Sequence, residues 1–186
     1  MSVSDSVMKI RKIHKYVSLA ISVQLLLWTI SGLYFSFNKI ESIRGEHYYR
    51  TVDENLIDKK ERLIEKISEN EAFSIITDKT FLQPLSMELI SESKKGSEYR
   101  GKDLPIYKVT ALDIKGDYVN IYQDVYSGDI IALRTQSWNI WDFMWGLHIM
   151  DWVERDNINN IFLKFFSFLA LITSISGILL FFFRRA

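Results

Sequence analysis

The sequence predicts a membrane α+β protein. Two transmembrane helices, with both termini on the cytoplasmic side, flank one small extracytoplasmic α+β domain with an antiparallel sheet. Three observations predict it. Residues 16–37 and 165–183 are runs of 22 and 19 residues without a charge. Basic residues crowd the outer flank of each run. Between the runs, residues 104–133 read as strands separated by Gly-containing turns.

Each element follows in order. Residues 1–15 form a cytoplasmic N-terminus carrying Lys9, Arg11, Lys12 and Lys15 against Asp5, as the excess of positive charge on cytoplasmic flanks requires. Residues 16–37 form the first span. A hydrocarbon layer about 30 Å thick needs about 20 apolar helical residues, and backbone groups in lipid must be paired within the helix. The run is long for a secretory signal and has no A-x-A cleavage site, so an uncleaved anchor is expected.

Residues 38–137 are expected outside the cytoplasm. Arg44-Gly45-Glu46 marks a turn. Leu63, Ile64 and Ile67 at helical spacing predict an amphipathic helix over 58–70. Short strands are expected over 74–77 and 85–90, and a polar loop over 91–103. Residues 104–114 read as a strand whose Pro105 confines it to an edge or a strand start. Lys115-Gly116-Asp117 turns into a strand over 118–125. There Tyr118, Asn120, Tyr122 and Asp124 share one face, and Val119, Ile121, Gln123 and Val125 the other. Ser127-Gly128-Asp129 leads to a last strand over 130–133, closing an antiparallel meander. Residues 138–164 are an aromatic interfacial helix and turn. Trp141, Trp145, His148 and Trp152 fall on one helical face, and tryptophan favours the membrane interface. Residues 165–183 form the second span, and 184–186, with Arg184 and Arg185, a cytoplasmic C-terminus. Ser31-Gly32 and Ser176-Gly177 repeat a small-residue step, one per span, suited to close helix packing.

Composition narrows the chemistry. The chain has no cysteine, which excludes disulfides, thiolate catalysis and Cys-ligated metal. Its net charge of zero is a cancellation. Setting aside the six cytoplasmic bases and Asp5 leaves 17 basic and 22 acidic residues outside, a net of −5. That balance does not suit nucleic acid. No metalloprotease, P-loop or dinucleotide-binding string occurs.

Three histidines remain: His14, His47 and His148. A membrane haem needs an axial imidazole, an apolar aromatic wall and cations for its propionates. His14 has Arg11 and Lys15 beside it. His148 has Trp145 and Trp152, with Asp151 placed to orient its ring. One chain offers a single histidine on the inner side, so a two-histidine site there requires a homodimer. The other reading is that His14 is an interfacial residue and the tryptophans a membrane belt. Asp142, Asp151, Glu154 and Asp156 are hard oxygen ligands that could hold a metal cation outside, a ferric substrate if the resemblance described next holds.

Several strings are similar to one family. Arg11-Lys12-Ile13-His14 ahead of an apolar helix ending in Ser31-Gly32-Leu33 resembles the opening helix of PepSY-associated transmembrane proteins. Ile43-Arg44-Gly45-Glu46-His47 resembles the segment after it. The strand–turn–strand string over 124–131 resembles the end of the PepSY domain. Leu147-His148-Ile149-Met150-Asp151, followed by Asn159-Asn160, resembles the histidine motif ahead of the last helix. The resemblance implies a PepSY fold in the periplasm of a bacterium and anchorage in its inner membrane. It implies haem b bound by His14, His47 and His148, and reduction of ferric iron or ferric siderophore for iron acquisition. The donor would be a cytoplasmic reductant or a quinol. Larger members carry four or more spans and more histidines, so a chain with one hairpin is expected to act as a homodimer. PepSY domains also occur without electron transfer. The alternative is therefore a membrane-tethered binding or regulatory module, or an accessory subunit of an iron transporter.

Overall fold

A computed structural model describes residues 3–50 and 65–183. The chain divides into two compact units. One takes the described residues up to Tyr34 and those from Met144 onward; the other spans Phe35–Phe143.

The first unit is built on two helices, each long and apolar enough to cross a membrane. Helix α1 runs over Val3–Phe37 and helix α5 over Ile161–Phe183. At 1.5 Å per residue, the 35 residues of α1 extend about 52 Å. The helix therefore starts well before the charge-free run at residue 16, because Lys9–Lys15 are good helix formers with no breaker among them. Leu19, Val23, Leu26, Ile30 and Leu33 of α1 are exposed, as are Phe162, Phe165, Phe168, Leu171, Ile175 and Ile178 of α5. So large an unburied apolar surface is compatible with a lipid environment. The opposite seam of α1 carries His14, Ser18, Ile21, Gln24, Trp28 and Ser31 at three- and four-residue steps. Helix α5 begins at Ile161 because the Asn160 side chain caps it, its Oδ1 accepting the Leu163 amide at 2.8 Å. That is four residues ahead of the predicted span. Residues 184–186, with the expected basic C-terminus, lie outside the described residues.

The second unit is a four-stranded antiparallel meander, β1 (Gln83–Ile90), β2 (Ile106–Leu112), β3 (Tyr118–Asp124) and β4 (Ile130–Arg134), in the order β1-β2-β3-β4. A short helix α2 (Ile40–Ile43), a 3₁₀ turn (Glu46–Tyr48) and helix α3 (Glu69–Lys79) precede the sheet. The expected turn is present: Gly45 takes a left-handed φ of 73°, which glycine adopts without penalty. The β3 alternation holds. Val119 and Ile121 join Ile76 of α3, Val109, Ala111 and Leu133 in one core, with Val125 beside Ala72 in its extension. The other face is covered by the 91–105 loop, whose Tyr99 and Leu104 pack on Ile106, Tyr122 and Ala132. Pro105 stands just ahead of β2, the strand-start position its missing N–H demands.

Two expectations fail here. The predicted strand over 74–77 is the middle of α3. Ser68 caps that helix, accepting the Glu71 amide at 3.3 Å, and Ala72 and Ile76 turn one face onto the sheet. Of the predicted helix over 58–70, residues 69 and 70 are the start of α3, but 65–68 are not helical. Ile67 instead donates its amide to Val125 O at 2.9 Å and accepts the Tyr107 hydroxyl, which draws 65–68 into extended chain. Residues 58–64 of that prediction lie outside the described residues.

Helix α4 (Gln136–Ile149) carries the aromatic stretch. Met150 ends it in a left-handed conformation, φ 57°. Its amide reaches Leu147 O at 3.4 Å, and the Asp151 amide reaches Gly146 O at 3.0 Å, the paired bonds of a Schellman end. Trp152 therefore lies beyond the helix and does not share the Trp141–His148 face. Its ring packs 6.5 Å from Phe162.

Candidate functional site

Both histidines of the first unit are held in the same way. His14 Nδ1 lies 2.9 Å from Ser176 Oγ, and His148 Nδ1 lies 2.8 Å from Ser31 Oγ. A hydroxyl has one proton. Ser176 donates its own to Thr173 O at 3.0 Å, and Ser31 donates to Leu27 O at 2.7 Å. With its proton on the backbone carbonyl, each serine oxygen accepts from the imidazole Nδ1. Fixing one ring nitrogen so that the other can bind a metal is the usual arrangement around ligating histidine.

The serines come from the repeated Ser-Gly steps. Gly177 is needed beside Ser176: a Cβ there would stand 3.2 Å from His14 Cε1. The His148 ring is stacked on Trp145, 11° from parallel with centroids 6.3 Å apart, and Trp28 lies at 6.4 Å. Trp28 Nε1 donates to His148 O at 2.7 Å, so this tryptophan ties α1 to the end of α4. Burial pushes the His148 imidazole below its ordinary pKa, which keeps it neutral. His14 and Ser31 are 17 residues apart on α1, so the two imidazole–hydroxyl pairs are separated by about 25 Å along the helix.

The other predicted residues fall elsewhere. Arg11 lines an open groove with Gly177, Leu180 and Phe181, beside His14. Lys15 extends over the Tyr16 ring, 6.0 Å from its centroid. His47 belongs to the second unit, exposed, with its ring 4.1 Å from that of Tyr48. Asp151 does not orient His148. Its Oδ1 accepts the Val153 and Glu154 amides and its Oδ2 those of Asp156 and Asn157. Burial alone would raise its pKa, but these four amides outweigh it and hold the carboxyl below the ordinary range. Asp142 is 1% exposed and paired with Arg100. Among the described residues no three His, Asp or Glu side chains converge to hold a metal ion. The acidic ferric site of Asp151, Glu154 and Asp156 is therefore not formed.

The second unit offers a different feature, a cleft of about 470 Å³ lined by Arg44, Tyr49, Lys102, Arg134, Trp138 and Trp141, with Glu46 as its acid. Arg134 stacks on Trp138 at 4.3 Å, and Arg100 lies over the same ring at 5.6 Å. Sequence reasoning noted the Ser-Gly steps only as packing elements and missed this basic, aromatic cleft. Composition hid it, because its cations, Arg44, Lys102 and Arg134, come from three separate segments of an acidic domain. No family model, curated protein or solved structure matches the chain.

Proposed function

We propose that this protein is a homodimeric, haem-b-dependent ferric reductase of the bacterial inner membrane, with Phe35–Phe143 on the periplasmic side. The observation that supports it is the pair of imidazoles near opposite ends of the two-helix unit. Each has Nδ1 held by a serine hydroxyl, the kind of contact that orients a ligating imidazole. Haem b, when bound, supplies one-electron chemistry at a potential set by its axial ligands and surroundings.

The chain's own residues fit that group in part. His14 and His148 would hold the haem iron, Arg11 and Lys15 would meet its propionates at the inner end, and Trp145 would wall the outer site. Each end has one described histidine of its own unit, so bis-histidine ligation takes the matching histidine of a second chain. Ser176 and Ser31 hold the rings in the ligating tautomer. The donor is a cytoplasmic reductant or a quinol.

The acceptor follows from the second unit. Its buried acid Asp142 is paired with Arg100, and its open cleft is mainly basic and aromatic. An anionic ferric chelate, of the siderophore class, suits it better than a bare ferric ion. The test is an absorption spectrum of the purified protein, oxidised and dithionite-reduced, with a pyridine haemochrome count. Low-spin b-type bands that vanish in His14→Ala and His148→Ala support the reading. Folded protein without haem, made under ample haem supply, sinks it.

A further inference from the structure

The basic cleft of the second unit stands at a particular level of the chain. The ring of its Trp141 lies 5.4 Å from that of Phe35, which belongs to the last turn of α1. The charge-free run of α1 ends at Phe37, and Lys39 is the first charged residue after it. Ile40 and Arg44, which line the cleft, follow within seven residues of that end. Where α1 crosses a membrane, the cleft is therefore level with the lipid headgroups. Tryptophan favours this depth. Phe37, Ile140 and Phe143 of the same unit are exposed, apolar surface of the kind that acyl chains cover.

Charge narrows the ligand. Arg44, Lys102 and Arg134 line the cleft with a single acid, Glu46. Among the described residues, the side chains of Arg44 and Lys102 take part in no hydrogen bond or ion pair. Arg134 is instead held in place. Its Nε donates to Glu98 O and its Nη1 to Leu133 O, both at 3.0 Å, and its guanidinium lies 4.3 Å over the Trp138 ring. A fixed guanidinium beside two unpaired cations suits a phosphate, which accepts several N–H bonds at once. The volume of about 470 Å³ is that of a small-ligand site. We propose that this cleft binds the headgroup of an anionic phospholipid of the phosphatidylglycerol class. Arg44, Lys102 and Arg134 hold its phosphate, and its acyl chains lie on the apolar surface beside the end of α1. A zwitterionic headgroup brings an ammonium to the same cations and binds more weakly. The inference does not depend on haem, and the ferric chelate proposed above has to displace the lipid from the same cations.

The full chain in detergent is titrated with phosphatidylglycerol and with phosphatidylethanolamine of the same acyl chains, and bound lipid is counted by native mass spectrometry. Wild type should bind phosphatidylglycerol at least tenfold more tightly; equal binding overturns the proposal. A basic residue near a lipid surface is worth about fivefold. Arg44→Gln with Lys102→Gln should therefore weaken phosphatidylglycerol binding about 25-fold, and a loss under threefold overturns the proposal. Glu46→Gln removes the acid and should tighten binding about fivefold. No tightening overturns the proposal, even where the double variant fails to fold. Lys9→Gln with Lys12→Gln, at the other end of α1, is the control. A loss there as large as at the cleft assigns the preference to the N-terminal bases and overturns the site. Inorganic phosphate in about hundredfold excess should leave the lipid bound, because it has no acyl chain to anchor it. Displacement would assign the cleft to a soluble anion and overturn the lipid as its occupant.

Discussion

Replacing Arg100 with Met tests the energetics of the second unit directly. Asp142 lies 1% exposed in the middle of α4, and the Arg100 guanidinium that pairs with it is 17% exposed. Arg100 also covers the Trp138 ring. Removing it takes the paired cation from a buried carboxylate and leaves Arg134 as a weaker countercharge, a loss of about 3 kcal/mol. A domain of this size is stable by about 5–15 kcal/mol, so a loss of about 3 kcal/mol is a large share. Each 1.4 kcal/mol is a factor of ten, so the slowest β2 and β3 amides should exchange about 150-fold faster in the full chain. The control is Arg100→Met with Asp142→Leu, which removes both charges and should recover most of the loss. Protection within threefold of wild type in the single variant would refute the buried-pair argument. So would a double variant no better than Arg100→Met.

Other substitutions probe other parts. Gly128→Ala places a methyl 2.4 Å from Ile75 Cδ1 at a φ of 74°, so it should destabilise the second unit by more than about 1 kcal/mol in denaturant titration. Ser176→Ala should leave helix content unchanged in circular dichroism. In haem-loaded protein it should shift the reduction potential and low-spin spectrum, with partial rescue by Ser176→Thr. His148 has its pKa lowered by burial. The unfolded chain therefore takes up a proton first as pH falls, and stability should decline below the ordinary imidazole range. A ¹⁵N titration in which His148 charges at or above that range would contradict this. Asp151 has its carboxyl held low by four amides, so its contribution is present above the ordinary carboxylate range and lost as pH falls through its lowered value. Amides of 153–157 should lose exchange protection there, and in Asp151→Asn at neutral pH.

Local pattern made much of this architecture readable. Period-two alternation over 118–125, Pro105 at a strand start and two uncharged runs each carry their cause in a few consecutive residues. The failures have a physical reason too. Residues 74–77, Ser-Ile-Ile-Thr, favour a strand by propensity, yet the cap at Ser68 and packing of Ile76 on the sheet make them helix. Trp152 leaves the helical face because Met150 adopts a left-handed backbone, which no periodicity reveals. The histidines were legible as candidates. Their serine partners stand 162 and 117 residues away, a distance at which spacing carries no information. The acids of 142–156 looked like a cation site because composition shows charge but not what each charge already holds.

The two imidazole–hydroxyl pairs also set the phase of α1 against two neighbours. Leucine and phenylalanine surfaces are nearly featureless along a helix, so apolar rods can slide past one another with little change in packing. His14 with Ser176 marks α1 against α5, and Ser31 with His148 marks α1 against the end of α4. A slip of one residue moves a contact by about 1.5 Å along the axis and turns it by about 100°. A slip of α1 would therefore pull both bonds, at 2.9 and 2.8 Å, beyond hydrogen-bonding reach at once. Each Ser-Gly step is in this sense an index mark, one carried by α1 and one by α5, and each fixes one alignment among many of similar apolar contact.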